Sequence, residues 1–231
     1  MKIDKMEIAS IISKGALGAI PLVGPLAAEV VGAIIPNQRI ERIETLLHDL
    51  ESRVKHAKID GLDSKFLQPK FIDLLEDGFV QASRAFNSER IEYIASLLKN
   101  SLSDEQIKYE EYKKLLVILN DLNDIEILHL KSYSLDRDDE EYDEFWHLHD
   151  ETLTPPLTYM DSSEEDFDKQ AIFETYRSRL VALGLIKIRY KKPRKGELPE
   201  FDEKTGMIKA NGHSITRLGS LLLRSLDLSA S

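Results

Sequence analysis

Apolar residues recur at every third or fourth position along most of this chain, and that spacing is the feature that most restricts its fold. A helix with such spacing presents one apolar stripe to a core. Between residues 37 and 58 the stripe consists of Ile40, Ile43, Leu47, Leu50 and Val54. Further stripes predict helices from Asp63, where Pro69 bends the helix or marks its true start, and from Ser88, which we expect to be the cap. A capping-box spacing of Ser103 and Gln106 predicts another helix, ending near Asp121.

The stretch from Gly15 to Pro36, GALGAIPLVGPLAAEVVGAIIP, has Glu29 as its single charge. A helix that crosses a bilayer needs about 20 apolar residues, and Pro21 and Pro25 interrupt this stretch. We predict a hairpin of two short helices that is buried in the core, with insertion at a membrane as the alternative. Its apolar side chains are Leu17, Ile20, Leu22, Val23, Leu26, Val30, Val31, Ile34 and Ile35.

The pattern changes toward the C-terminal end. Asn123 or Asp124 caps a short helix, and an acidic insert follows within residues 134–165, densest from Asp136 to Glu151. A helix is then predicted from about Glu165 to Leu183, with Ile172, Phe173, Tyr176, Leu180 and Leu183 facing inward and Gly184 ending it. Leu185–Tyr190 and Met207–Ile215 alternate as strands do, and Thr216 caps a closing helix.

Helices followed by a hairpin and a closing helix are the order of a winged helix. The predicted fold is therefore mainly α-helical. An N-terminal helical domain, residues 1–102, contains the apolar hairpin at 15–36, and a winged-helix-like domain, residues 103–231, contains a two-stranded wing.

Composition restricts the compartment and the chemistry. The chain has no cysteine, which excludes disulfides and a thiolate nucleophile and favours a reducing compartment. We see no secretion signal and predict a cytoplasmic protein, peripheral to the inner membrane if the hairpin engages it. The net charge is −10, but residues 166–231 carry 13 Lys/Arg against 8 Asp/Glu. This basic tail is a weak indication of an anionic partner.

The sequence lacks the patterns of phosphate-binding loops, hydrolase elbows and zinc peptidases. His147 and His149 stand beside acidic residues, but this spacing is common in an acidic loop and we predict no metal there. Asp202-Glu203-Lys204 resembles part of a nuclease site, yet it falls in the predicted wing loop, where a solvated turn is favoured. We predict no enzyme activity and no cofactor.

Six positive charges in nine residues, KIRYKKPRK, are the sharpest electrostatic feature: Lys187, Arg189, Lys191, Lys192, Arg194 and Lys195. A basic wing can neutralise phosphates. The helix that would read bases is poorly equipped, because acids such as Asp166, Asp168 and Glu174 oppose its few bases. Protein binding is favoured, and a DNA-binding transcriptional regulator remains the alternative.

Three segments resemble the abortive-infection alpha (Abi-alpha) family of bacterial proteins. They are GALGAIPLVGPLAAEVVGAIIPNQRIERIETLL, then FLQPKFIDLLEDGFVQASRAFNSERIEYIASLLKNSLS, then LVALGLI with SITRLGSLLLRSL. The resemblance covers about two-thirds of the chain and rests on apolar spacing; the acidic insert departs from the family. It implies a role in phage defence, with no catalytic residues. We therefore predict a non-enzymatic defence protein that acts on a protein partner, with self-association, membrane engagement and nucleic-acid binding as further alternatives.

Overall fold

The apolar spacing correctly predicts the fold class: 66% of the described residues are helical, and one small antiparallel sheet accompanies them. The computed structural model describes residues 39–57, 59, 62–66, 68–103, 108–193, 195–203 and 206–229. The hairpin predicted at 15–36 lies outside this range. Within the described part of the chain, no helix combines the length and apolar composition that a bilayer crossing requires. Contacts divide the chain into two units, and each is described by itself.

The first unit contains the described residues up to Asp121 together with Ser225–Asp227. Its helices are α1 (Ile40–Ala57), α2 (Leu62–Phe66), α3 (Pro69–Arg84), α4 (Ser88–Ser103) and α5 (Tyr109–Asp121). The four longer helices each bury an apolar stripe, as the spacing predicts. The predicted domain boundary followed residue 102, whereas α5 packs against α3 and α4 and belongs to this unit.

Large apolar side chains fill the centre of the first unit. Phe71, Phe79, Leu97 and Leu98 are almost completely buried, and burial of such side chains stabilises a fold by roughly 1.5–3 kcal/mol each. Helices α3 and α4 approach closely at Gly78, where an added Cβ would lie 3.1 Å from Leu98 Cδ1. The glycine therefore sets the spacing of these two helices.

Three residues were predicted to start or cap a helix, and the structure shows where each lies. Pro69 is the first residue of α3, where its missing N–H costs nothing. The cap of α4 is Asn87 and not Ser88, because Asn87 Oδ1 accepts the Arg90 N–H at 2.9 Å. The predicted cap Ser103 was also wrong: it is the last residue of α4, and its hydroxyl donates to carbonyls one turn back.

Ser225–Asp227 joins the first unit although it comes late in the sequence. Asn100 Nδ2 donates to Asp227 Oδ1 at 2.9 Å and to the Ser225 carbonyl at 3.0 Å. Arg53 and Lys99 each approach the Asp227 carboxylate at 3.5 Å. Burial raises the pKa of Asp227, but the hydrogen bond from Asn100 and the charge of Lys99 outweigh it and lower the pKa. This carboxylate is thus a shared partner of α1 and α4.

The second unit contains Leu122–Arg224 and the residues from Leu228 onward. Its elements are α6 (Asp124–Ser132), α7 (Glu140–Leu153), α8 (Glu164–Ala182), β1 (Ile186–Tyr190), β2 (Ala210–Ile215) and α9 (Arg217–Ser225). Asn123 caps α6 through a capping box with Glu126. It is one of the two residues that the sequence predicts as this cap. Gly184, with φ +71°, follows α8 and ends it as predicted.

The densest part of the acidic insert forms the helix α7, where the sequence analysis treats it as a loop. Helix α7 places Phe145 and Leu153 against Leu135, and the partly buried Trp146 packs on this cluster. The carboxylates of α7 mostly point to solvent. The apolar positions recur at helical spacing beneath the acidic residues, so burial of one face stabilises the helix.

The closing turn of the second unit is fixed by hydrogen bonds. Thr216 caps α9 as predicted, because its Oγ1 accepts the Gly219 N–H at 3.1 Å. The Thr216 backbone N–H donates to the Leu185 carbonyl at 2.9 Å, and its hydroxyl approaches the same oxygen at 3.1 Å. Gly219 is buried directly against this carbonyl. The start of β1 and the start of α9 are therefore joined at one point.

Candidate interaction surface

Aromatic packing around His129 positions α8 against α6. The His129 ring lies 5.1 Å from that of Phe173 and 5.7 Å from that of Tyr176. It is 8% exposed, and its Nε2 has no hydrogen-bond partner among the described residues. Burial, together with the nearby charge of Arg177, lowers the pKa of His129 to about 4. The neutral imidazole thus serves as a packing group in the second unit.

Beyond that contact, much of α8 stays uncovered. The sequence predicts Ile172, Phe173, Tyr176, Leu180 and Leu183 as an inward face, but only Leu180 is fully buried. Ile172 is 55% exposed, and Phe167 on the same helix is also exposed. Phe173, Tyr176 and Leu183 are half-buried, so the prediction was wrong for Ile172. An apolar stripe reveals which side of a helix avoids water, and not whether the fold supplies a neighbour for its whole length.

The segment before α8 adds to this exposed apolar surface. The Thr158 hydroxyl donates to Gln170 Oε1, which holds the segment beside α8. Leu157, Tyr159 and Met160 are all exposed. Phe167 lies one turn before Gln170 on the same side of α8, whereas Ile172 lies on the other side. We call the four exposed side chains on the Gln170 side the α8 surface: Leu157, Tyr159, Met160 and Phe167.

The charges of α8 are mostly acidic or already paired. Ser163 caps the helix in a capping box with Asp166, and the hydrogen bonds from Ser163 lower the pKa of that carboxyl. Lys169 pairs with Glu165 at 2.7 Å, and Arg179 approaches Glu126 at 3.7 Å. The first turn carries three acids. This helix therefore opposes the approach of a polyanion.

The predicted basic residues lie on β1 and in the loop after it. Lys187, Arg189, Lys191, Lys192 and Lys195 are exposed, and Arg194 lies outside the described residues. Lys191 pairs with Glu200 at 2.8 Å, and this hydrogen bond raises the pKa of Lys191 and lowers that of Glu200. The other four form no ion pair with any residue that the structure describes.

The opposite side of the wing is apolar, which sequence reasoning missed. Ile186 opposes Ile215, Ile188 opposes His213, and Tyr190 opposes Ala210. Directly opposed residues of an antiparallel pair share one face, so these side chains form a single row. An isolated bridge joins the exposed Phe201 and Ile208 beyond β1. We call the exposed members of the row on β1 the wing face: Ile188 and Tyr190.

The other candidate residues of the sequence lie on α7 and in the loop between β1 and β2. His147 and His149 lie on α7, and the His149 ring packs 4.7 Å from that of Phe145. Among the described residues, no group of three or more His, Cys, Asp or Glu side chains is placed to hold a metal. The Asp202 N–H donates to the Met207 carbonyl at 2.7 Å, and Lys204 of this candidate site lies outside the described residues. The nine apolar hairpin residues lie outside the described range.

Comparison with known proteins adds no assignment. No protein-family model, no curated protein and no solved structure matches the chain. The resemblance to the Abi-alpha family therefore stays a prediction from the residues quoted above.

Proposed function

We propose that this chain is a non-enzymatic binding protein of the bacterial phage-defence kind, in which a winged-helix-like second unit contacts a protein partner. The observation that carries the proposal is the distribution of exposed large apolar side chains. Twelve of the fourteen lie between Leu148 and Ile208, and Phe86 and Val117 are the exceptions. Single exposed apolar residues are ordinary, but a concentration of them on one part of a protein is typical of an interaction site.

The α8 surface is the part of this region that best fits a protein partner. Its four apolar side chains supply the contact area, and the acids at the start of α8 favour a partner with basic residues at its rim. The defence role comes from the family resemblance alone. Membrane engagement by residues 15–36 remains a separate prediction.

The first expected result concerns phage challenge of bacteria that express the protein. We expect wild-type protein to reduce plaque formation by at least one phage of a broad panel. The variant Leu157→Ser/Met160→Ser/Phe167→Ser should restore plaque counts to those of cells without the protein, because the partner loses its apolar anchors. Plaque counts and far-UV circular dichroism of the purified variants are the measurements.

The matched control is Phe86→Ser, which removes an equally apolar side chain that is 99% exposed in the first unit. It should protect as wild type does. Protection that survives the triple substitution would move the contact elsewhere, and failure of the wild type against every phage would contradict the defence role.

The alternative function is that of a DNA-binding regulator. Four basic residues favour it because they form no ion pair with any described residue: Lys187, Arg189, Lys192 and Lys195. Since α8 presents acids, we expect only non-specific retention of duplex DNA, with Kd in the range of roughly 10⁻⁴–10⁻⁶ M at physiological salt. Each neutralised phosphate should contribute about −0.9 to the slope of log K against log salt. Fluorescence anisotropy with a labelled random duplex measures the Kd and its dependence on salt. Lys114→Gln in the first unit is the control and should bind DNA as wild type does. Tighter, sequence-dependent binding would establish the regulator instead.

A further inference from the structure

Strand β1 forms an open edge of the wing. The sheet of the second unit has two strands among the described residues, so each strand has one side without a strand neighbour. Four of the six residues of β2 are half-buried, whereas every residue of β1 after Ile186 is exposed. Such an edge presents a row of backbone groups with which another strand can pair.

The hydrogen bonds of the hairpin show which backbone groups of β1 point to this edge. Leu185, directly before β1, accepts a backbone hydrogen bond from the residue opposite, and in an antiparallel pair every second residue bonds across the ladder. Lys187 and Arg189 therefore bond with β2, whereas Ile188 and Tyr190 direct their N–H and C=O groups outward. The extra residue of the bulge lies on β2, so the alternation of β1 is unbroken. On the outward side, no backbone hydrogen bond joins Ile188 or Tyr190 to another described residue.

The two faces of β1 beside this edge differ in chemistry. One is the apolar wing face, and the other carries Lys187 and Arg189. Neither of these cations forms an ion pair with a described residue. The Arg189 side chain lies over Gly212, where an added Cβ would be 3.3 Å from Nη2, and no acid holds it there among the described residues. A strand added at this edge would therefore meet cations on one face and apolar side chains on the other.

These two faces select the sequence of a partner strand. Successive side chains of a strand point to opposite faces, so a matching segment alternates acidic and apolar residues. Its acids would lie beside Lys187 and Arg189, and its apolar side chains beside the wing face. A second copy of this chain fits less well. Antiparallel pairing of two β1 edges, centred on Ile188, would place Lys187 of each copy beside Arg189 of the other. Nucleic acid would meet the cations but leave the outward backbone groups and the wing face without a partner.

We propose that the open edge of β1 binds an extended protein segment of alternating acidic and apolar residues, which joins the sheet of the wing as a third strand. Main-chain hydrogen bonds with Ile188 and Tyr190 position the segment, and the two faces set its sequence. The edge is short, so we expect a Kd on the order of 10⁻⁴ M for a short peptide. Strand addition goes beyond the proposed contact of the α8 surface and uses none of its side chains.

Amide exchange with solvent tests the proposal directly. The probe is a synthetic peptide of about eight residues in which Glu and Val alternate, a spacing that places all its acids on one face. Exchange of the Ile188 and Tyr190 amides should slow about tenfold when the free peptide is at about ten times its Kd, because both N–H groups then donate to the peptide. A control peptide of the same composition, with Glu and Val in successive pairs, should leave both rates unchanged. Water-exchange NMR of the isotope-labelled full chain measures them.

Protein variants provide matched controls. Ile188→Pro removes one outward N–H and no hydrogen bond to β2; it should bind the alternating peptide about tenfold more weakly, whereas Ile188→Val should bind as wild type does. Urea unfolding followed by Trp146 fluorescence checks that the proline variant is folded. Lys187→Glu/Arg189→Glu should reject the acidic peptide and bind a peptide in which Lys and Val alternate. That exchange of preference also shows that the charge variant is folded.

Several outcomes would overturn strand addition: no binding of the alternating peptide at millimolar concentration, equal binding of both peptides, unprotected Ile188 and Tyr190 amides, or full binding by Ile188→Pro. Acidic-peptide binding that survives the charge reversal would contradict the assigned partner chemistry. Protection of the same two amides by a random DNA duplex would assign the edge to nucleic acid instead. Plaque counts of the α8 surface variant are read separately, so failure of strand addition and failure of the defence function are distinguishable.

Discussion

We expect the second unit of Gly219→Ala to unfold at a lower denaturant concentration than that of wild type. Its free energy of unfolding should be lower by about 2–3 kcal/mol. An added Cβ would lie 2.3 Å from the Leu185 carbonyl oxygen and 2.9 Å from Ile215 Cγ1. The carbonyl cannot move aside easily, because Thr216 donates to it from its backbone and approaches it with its hydroxyl. Alanine stabilises a helix by about 1 kcal/mol relative to glycine. We expect the clash of the added Cβ to outweigh that gain.

The chain contains a single tryptophan, so tryptophan fluorescence follows the unfolding of one unit only. Trp146 belongs to α7 in the second unit, so urea titration followed by its fluorescence reports that unit. Ser220→Ala is the matched control, since this exposed neighbour on α9 loses only a 3.1 Å hydrogen bond to the Thr216 carbonyl. An unchanged midpoint for Gly219→Ala would show that the contact of α9 with Leu185 is looser than described.

Acid should destabilise the second unit through His129. Its pKa is about 4 in the folded protein, against about 6.5 in an unfolded chain. The unfolded state therefore binds the proton first, and stability falls as the pH drops below about 6.5. The loss reaches about 2 kcal/mol at pH 5 and is complete, at about 3 kcal/mol, below pH 4. Burial of the ring between Phe173 and Tyr176 is the cause.

His129→Leu isolates this contribution from the titrating carboxylates. Between pH 7 and pH 5 the variant should lose about 2 kcal/mol less stability than wild type, measured by urea unfolding with Trp146 fluorescence. His213, whose pKa is lowered by burial and by Arg177 and Arg189, acts in the same direction and is present in both proteins. Ser220→Ala, which removes no titrating group, should keep the wild-type pH dependence. Equal pH dependence in wild type and His129→Leu would contradict the assigned role.

Local signals in the sequence predicted the element boundaries that depend on backbone chemistry. Pro69 starts a helix because it needs no N–H there, Gly184 ends one because it accepts a positive φ, and Thr216 caps another through its hydroxyl. Each of these effects involves a few neighbouring residues and is visible without the fold. The cap at Ser88 was missed by one position because Asn87 offers a competing acceptor.

The surfaces were not predictable in the same way, because they depend on what the fold leaves uncovered. The apolar stripe of α8 looks like a buried face, yet Ile172 has no neighbour that covers it. The wing face depends on a register shift between Arg189 and Tyr190, which leaves Asn211 outside the pairing and brings Tyr190 opposite Ala210. One extra residue in a strand decides which side chains share a face. Strand alternation alone does not reveal it.

The place of Asp227 in the first unit has a consequence for the order of events during synthesis. The helices α1 and α4 are made early, but the carboxylate that Arg53, Lys99 and Asn100 share is made only after the whole of the second unit. About a hundred residues separate Asp121 from Ser225, which is roughly 5–20 s of translation at common rates. During this interval Arg53 has Glu92 as its acidic partner, at 3.9 Å, while Lys99 lacks the Asp227 carboxylate. The last contacts of the first unit therefore form only after most of the second unit has been made.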